Sequence, residues 1–218
     1  MRVKEAERFT CDSEAAIKHP EPSMKPSALQ IIRNEHAALA AMLRSLDMMV
    51  AHGPGGEPDR FFDVVRAMLF YIDEFPERRH HPKESERLFP RLVKAAPELA
   101  SVIDQLEGDH QDGERKVREL QHQLLAWELL GESRRQAFVD ASREYVRFYL
   151  EHMRIEESRL LPVAEKVLTP ADRAELDAAF ARDPDPLASD DREGIYERLF
   201  SRIVTTAPDP VGLGRHLA

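Results

Sequence analysis

Apolar residues recur every three or four positions over four long stretches of the chain, the spacing that places side chains on one face of an α-helix. The first stretch predicts a helix over about residues 28–51, and the second begins near Asp59. The third follows Pro97 and stops at Gly131, and the fourth covers about residues 133–167. The chain therefore contains four helices long enough to form a bundle.

Prolines divide this pattern without ending it. Pro76 and Pro82 lie inside the second stretch, but its apolar period continues across both. We expect them to kink or locally loosen that helix, because proline removes a backbone donor and crowds the preceding turn. Thr169 and Pro170 open a further short helix that reaches about Arg182.

Short polar connections and the lack of an alternating strand pattern predict an all-α fold, an antiparallel up-down four-helix bundle over residues 28–182. Residues 1–27 are polar and proline-containing, which predicts an extended N-terminal arm. Residues 183–218 predict an amphipathic helix, with Ile195, Leu199 and Ile203 on one face, and a tail. That helix can pack on the bundle or on a second copy of the chain, so a homodimer is one of two expectations.

Composition excludes several classes of protein. The chain of 218 residues has one Cys and a net charge of −9, so it forms no internal disulfide and lacks the basic surface that nucleic-acid binding needs. No apolar run approaches the roughly 20 residues of a membrane span, and the first residues lack the apolar core of a signal peptide. We therefore expect a cytoplasmic protein with no nucleic-acid or membrane partner.

An internal repeat carries the candidate chemistry. Residues 80–90 and 152–162 both read H-x3-E-x2-R-L-[F/L]-P, so each supplies a His and a Glu spaced four residues apart. A single His on the preceding helix accompanies each copy, as Glu35-His36 and as Asp109-His110. The domain is thus a duplicated helical hairpin. The four His and two Glu of the repeat are His36, His80, Glu84, His110, His152 and Glu156.

Helix geometry brings these six residues to one level of the bundle. Counting about 12 to 20 residues from each site to its connecting turn, at 1.5 Å per residue, the four helices match to within a turn or two. All six lie on otherwise apolar faces, and an uncompensated buried carboxylate is costly. A bound cation offsets that cost for all of them together, which predicts a metal site.

The donor types narrow the choice of metal. Imidazole and carboxylate without thiolate suit iron, manganese or zinc. Six donors can saturate one octahedral ion, but two symmetric halves favour two ions, each with two His, bridged by Glu84 and Glu156. Two divalent ions carry more charge than two carboxylates neutralise, which favours a bridging oxo or hydroxo group and leaves coordination positions free.

Over about residues 28–168, the single His residues and paired H-x3-E motifs resemble the hemerythrin-like (HHE cation-binding) family. The resemblance implies a non-haem centre of two iron ions that binds oxygen or nitric oxide. It also implies His36, His80, His110 and His152 as terminal ligands, and Glu84 and Glu156 as bridges.

The chain departs from the oxygen carriers of that family at two positions. Those proteins have a second His one turn after the His of helix 3, where this chain has Glu114, and an Asp where it has Glu157. The set of four His and two Glu is more similar to bacterial di-iron proteins of iron–sulfur cluster repair. Those carry an N-terminal Cys-containing domain, whereas Cys11 stands alone here.

Several alternatives stay open from the sequence. Glu77 and Glu107 each precede a candidate His by three residues, the spacing of ferritin-like di-iron proteins, so iron storage is one alternative. Reduction of nitric oxide or peroxide, or cluster repair, is another, so the sequence does not decide whether the chain is an enzyme. His81 is expected behind the ligands or in solvent, since His80 continues the apolar face. Gly113 either makes room for a ligand or eases helix packing.

Overall fold

The fold follows the predicted order of helices. The structure, a computed structural model of the chain, describes residues 25–182, 185–187 and 203. Its α-helices are α1 (Ala28–His52), α2 (Pro58–Ile72), α3 (His81–Lys83), α4 (Phe89–Ala95), α5 (Ala100–Leu130), α6 (Arg135–Ile155), α7 (Leu161–Val167) and α8 (Pro170–Phe180). The described residues contain no strand, so the all-helical prediction is confirmed.

Short π-helical and 3₁₀ pieces join these helices into longer segments. The π-helices are Asp73–His80, Glu84–Leu88 and Glu156–Leu160, and the 3₁₀ turns are Pro97–Leu99 and Glu132–Arg134. The predicted second helix is thus the continuous run from α2 to α4, and the predicted fourth is α6 followed by α7. Four long helical segments result.

Local sequence sets the ends of the helices. The hydroxyl of Ser27 accepts a hydrogen bond from the backbone of Gln30 and caps α1, and Thr169 forms a capping box with Asp172 at the start of α8. Gly53 and Gly131 follow α1 and α5 with φ values of 78° and 86°, a backbone region that glycine enters without strain. The predicted stop at Gly131 is confirmed.

The π-helices coincide with the prolines of the second and fourth segments. Pro76 lies inside the first π-helix, and Pro82, Pro90 and Pro162 come two residues after a π-helix ends. Because a proline ring crowds the carbonyl four residues earlier and offers no N–H, the chain widens to bonds five residues apart. The amide of Phe89 accordingly donates to the carbonyl of Glu84. The helices are loosened rather than ended, as predicted.

The segments pack side by side around two hydrophobic clusters. α1 and α5 each pack on both α2 and α6, and α8 packs on α1. One cluster includes Leu39, Phe75 and Val117, and the other includes Ile32, Leu88 and Leu106. Candidate ligands lie between the two clusters along each segment: His36 lies between Ile32 and Leu39, and His110 lies between Leu106 and Val117. His80 and Glu84 lie between Phe75 and Leu88. The polar residues of the repeat therefore lie in a layer between two apolar cores.

Two sequence predictions fall partly outside the described residues. The predicted N-terminal arm lies outside them up to residue 24, and so do Ile195 and Leu199 of the predicted last helix. Ile203 is helical and buried against the first cluster. Among the helices that are described, none combines the length and apolar character needed to cross a lipid bilayer.

Candidate metal centre

Seven imidazole and carboxylate side chains share the buried layer between the two apolar clusters. They are His36, His80, His81, Glu84, His110, His152 and Glu156, and none is more than 7% exposed. The six residues predicted from the repeat are all brought together, and His81 joins them. Burying so many ionisable groups in an apolar core is costly unless they share a compensating charge.

The side chains fall into groups with metal-ligand spacing. His36, His80 and Glu84 form one group, His81, His110 and His152 a second, and Glu84, His110 and Glu156 a third. Within each group, the ligand atoms lie within 4.8 Å of one another. Two His groups linked through shared carboxylates are the arrangement expected of a centre with two ions.

Each carboxylate faces both His groups. The Oε1 atom of Glu84 lies 3.3 Å from Nε2 of His80, and its Oε2 atom lies 3.6 Å from Nε2 of His110. The Oε2 atom of Glu156 lies 3.2 Å from Nε2 of His36, and its Oε1 atom lies 3.5 Å from Nε2 of His152. Both glutamates are therefore placed to bridge two cations.

Five of the atoms that face the centre lack hydrogen-bond partners, which is the test of whether a metal fits. Oε2 of Glu84, Nε2 of His110, Nε2 of His152 and both carboxylate oxygens of Glu156 are buried without a hydrogen-bond partner. Buried polar atoms are nearly always paired in folded proteins. A cation bound between these nitrogen and oxygen donors satisfies all five at once, so the residues fit a metal centre.

A second set of polar groups holds the outer nitrogen of every His ring. Four of the Nδ1 atoms lie close to carboxylate oxygens: His80 is 2.7 Å from Glu35, and His81 is 3.1 Å from Glu77. In the same way, Nδ1 of His36 is 3.2 Å from Glu157, and Nδ1 of His152 is 3.4 Å from Asp109. Nδ1 of His110 lies 3.1 Å from the hydroxyl of Ser85, which donates to Glu107. Such partners fix the tautomer and orientation of a metal-binding imidazole, so that Nε2 is presented to the ion.

The outer partners repeat with the duplication. The acid directly before each single His, Glu35 or Asp109, binds the His of the following H-x3-E motif. Likewise, the residue directly after Glu84 or Glu156, which is Ser85 or Glu157, binds a single His. The sequence signal for Glu35 and Asp109 is the repeated acid–His pair, in which only the histidine was predicted to be functional.

One feature of the centre breaks the symmetry. In the repeat, Glu77 and His81 correspond to Tyr149 and Met153. His81 is 4% exposed and stacks on His110 with ring centroids 4.2 Å apart, so of the two expected positions, behind the ligands or in solvent, the one in solvent is wrong. A helical face with period 3.6 assigns only His80 to the core, but the π-helix ending at His80 changes that register and turns His81 inward as well.

A buried pair of tyrosines supports His81 from behind. The hydroxyls of Tyr145 and Tyr149 both donate to Oε1 of Glu77, and Oε2 of that carboxylate binds His81. Gly113 on α5 is required for this arrangement, because a Cβ atom there would lie 1.7 Å from the Tyr149 hydroxyl oxygen. Gly113 was expected either to make room for a ligand or to ease helix packing. The structure supports a packing role, because the missing side chain leaves space for Tyr149.

The remaining candidates lie outside the centre. Glu114 pairs with Arg118 on the exposed face of α5, and Glu157 contacts only the outer nitrogen of His36 among the imidazoles. Glu77 and Glu107 bind His81 and Ser85 instead of joining the three ligand groups. The ferritin-like spacing therefore does not correspond to a ferritin-like ligand set in the described residues.

Burial and neighbouring charges shift the pKa values of the ionisable groups in this layer. Although burial opposes it, the carboxylates of Glu156 and Glu157 beside the ring raise the pKa of His36 to about 9. Burial and the neighbouring His152 lower the pKa of His110 to about 3. Burial raises the pKa of Glu77 to about 7 in spite of its two tyrosine donors. A cation bound at Nε2 of His36 would therefore compete with a proton on that ring.

Comparison with known proteins agrees with these findings. The family model for the Hemerythrin HHE cation binding domain matches residues 27–164, more than half of the chain. An uncharacterized protein of Haemophilus influenzae is 33% identical over 95 residues, which cover 44% of this chain and 53% of that protein. The chain thus matches about half the length of that curated relative. No solved structure matches the chain.

We expect Gly113→Ala to destabilise the metal-free protein by about 1–3 kcal/mol, because the new methyl group displaces Tyr149 from Glu77. Gly108→Ala, on the exposed face of the same helix with nothing within 4 Å, is the matched control. It should stabilise the protein by roughly 0.5–1 kcal/mol. Urea unfolding of both variants measures the difference, and a Gly113→Ala protein as stable as the parent contradicts the packing described.

We also expect metal affinity to rise with pH through the neutral range. His36 has its pKa raised from 6.5 to about 9, so its stabilising ion pair is fully present below pH 6.5 and is lost as pH rises through 9. Metal and proton compete for this ring and for His80, whose pKa Glu84 and Glu35 also raise although burial opposes it, so affinity should rise by about tenfold per pH unit for each proton displaced. Calorimetry in buffers of different ionisation enthalpy counts the protons released. A metal affinity that does not change between pH 6.5 and 8.5 would contradict this expectation.

Proposed function

Because the chain belongs to the hemerythrin HHE cation-binding family, we propose that it is a non-haem di-iron protein that binds or senses a small diatomic ligand, oxygen or nitric oxide. One observation carries the proposal: Glu84 and Glu156 each face both His groups, and five of the atoms turned toward the centre lack hydrogen-bond partners. We also propose that the four long segments form the up-down antiparallel bundle of that family.

The proposed ligands divide unequally between the two ions. His36 and His80 would hold one iron, His81, His110 and His152 would hold the other, and Glu84 and Glu156 would be shared between them. A bridging oxo or hydroxo group would balance the charge that two carboxylates leave. The side with two His offers fewer protein ligands, so we assign the small ligand to that side.

His81 strengthens the link to ligand binding. The oxygen carriers of the hemerythrin family have an additional His at the position where this chain has Glu114, which lies on the surface of α5. Here an additional imidazole comes from the second segment instead and stacks on His110. The total of five His favours a small-molecule binder or sensor over the four-His type of cluster-repair protein.

The protein's own residues provide enclosure and orientation. All seven candidate ligands are 7% exposed or less, so bulk water is kept from the centre. The outer carboxylates and the Ser85 hydroxyl direct Nε2 of the five His rings inward. When bound, iron supplies the change of oxidation state on which reversible binding of oxygen or nitric oxide depends.

The test begins with elemental analysis and anaerobic loading with ferrous iron. We expect two iron atoms per chain and a charge-transfer band that appears with oxygen or nitric oxide and disappears when the gas is removed. Steady consumption of nitric oxide or peroxide would instead favour a reducing enzyme or a cluster-repair protein. More than two iron atoms per chain would favour storage, and a protein that retains no iron would overturn the proposal. A cytoplasmic location and a homodimer stay predictions.

The unequal division predicts the behaviour of a His81→Ala variant. Removing this ligand opens a position on the second iron, so nitric oxide should titrate to two equivalents per centre instead of one. Iron affinity on that side should fall by more than about tenfold. His122→Ala, on the exposed face of α5, is the matched control and should behave as the parent protein. Unchanged iron content with one equivalent of nitric oxide would show that His81 is not a ligand.

A further inference from the structure

The segment that follows α8 reaches the His36 and His80 side of the centre. Phe180, at the end of α8, is fully buried and places its ring 6.4 Å from that of His80. Asp185 follows a few residues later and is only 6% exposed. Both residues lie beyond residues 27–164, the stretch that the family model matches.

A continuous set of hydrogen bonds connects this segment to His80. The backbone N–H of Asp185 donates to Oε1 of Glu35 over 3.2 Å. The other oxygen of that carboxylate, Oε2, lies 2.7 Å from Nδ1 of His80. One side chain of α1 is therefore held between the C-terminal segment and a candidate ligand.

Asp185 is itself held in place from two sides. The hydroxyl of Tyr71, a fully buried residue of α2, donates to Oδ2 over 2.6 Å, and the backbone N–H of Leu187 donates to Oδ1 over 2.8 Å. Both carboxylate oxygens are thus used to fix the position of the backbone N–H that binds Glu35. Buried polar groups satisfied in this way favour one arrangement over others.

The other half of the centre is supported differently. Asp109, which corresponds to Glu35 in the repeat, lies 3.4 Å from His152, and its side chain is 22% exposed. The side chain of Glu35 is 5% exposed and makes the shorter contact of 2.7 Å. The C-terminal segment accounts for this difference, because it covers Glu35 and supplies a donor to it.

We propose that Asp185 is a positioning residue of the metal centre, which acts through Glu35 on His80. The C-terminal segment thereby completes the side of the centre formed by His36 and His80, and its placement is coupled to occupancy of that side. The proposal rests on the proposed metal binding. Its consequence is selective: weakening the segment's attachment lowers affinity for one ion and leaves the ion held by His81, His110 and His152 unaffected.

Two variants test this in the full-length chain. Tyr71→Phe removes the donor to Asp185, and Asp185→Ala removes both anchoring acceptors. Thr169→Ala is the control. It removes the N-cap of α8, but Thr169 makes no hydrogen bond to Glu35 or Asp185. Titration of metal-free protein with Co²⁺ alone, followed by its visible absorption, measures the affinity of each ion.

We expect the weaker of the two Co²⁺ affinities to fall by about 10-fold to 100-fold in Asp185→Ala, and by less in Tyr71→Phe. The tighter affinity should stay unchanged in both, and Thr169→Ala should leave both affinities as in the parent. Equal weakening of both ions, or the same loss in Thr169→Ala, would show a merely structural role and overturn the proposal. Unchanged affinities in Asp185→Ala would overturn it as well.

Amide hydrogen exchange in the unaltered protein provides a second readout if the variants fold poorly. Coupling between two sites is reciprocal, so filling the centre with Co²⁺ should slow exchange of the Asp185 amide by a factor similar to the affinity loss. An exchange rate that Co²⁺ does not change overturns the proposal. If the parent protein binds no Co²⁺ or iron, the proposed metal function fails instead, which separates the two failures.

Discussion

The free-energy cost of burying ionisable groups is the constraint on which the structure depends. Glu84 and Glu156 are each 1% exposed between two apolar clusters, where an unpaired carboxylate would destabilise the fold by several kcal/mol. The imidazoles around them share this burial, and in the metal-free chain protons on rings such as His36 provide part of the opposing charge. The same layer can exchange those protons for cations. The same side chains therefore affect both the free energy of folding and the free energy of metal binding.

The π-helices allow this density of ligands on so few helices. A regular helix presents one residue per turn to a narrow core, so neighbouring residues such as His80 and His81 would face different surroundings. The π-helix around Pro76 widens the turn before them, and both rings reach the centre. Widened turns also begin at Glu84 and Glu156, the two residues that must extend a carboxylate between two His groups.

Periodicity in the sequence was sufficient to predict the helices and six of the seven buried candidate ligands. His36, Glu84 and Glu156 could be assigned because each interrupts an apolar face at a regular interval, and the repeat placed them at one level. His81 could not be assigned, because its inward position depends on a change of helical register that no residue spacing encodes. The contact of Asp185 could not be predicted for another reason. Asp185 is 150 residues from Glu35 in the sequence, and it binds through a backbone N–H, which every residue but proline possesses.

The duplication accounts for what the two halves share, and its exceptions account for how they differ. Both halves hold two His through outer polar partners at corresponding positions, which directs the Nε2 atoms of these four rings toward one centre. The first half alone adds His81 with Glu77, and the second has Met153 and Tyr149 at those positions. A strictly symmetric centre would give both ions the same number of ligands and the same vacancy. Under the proposed function, the third imidazole fills one side, so a small ligand is directed to the side that Glu35 and the C-terminal segment support.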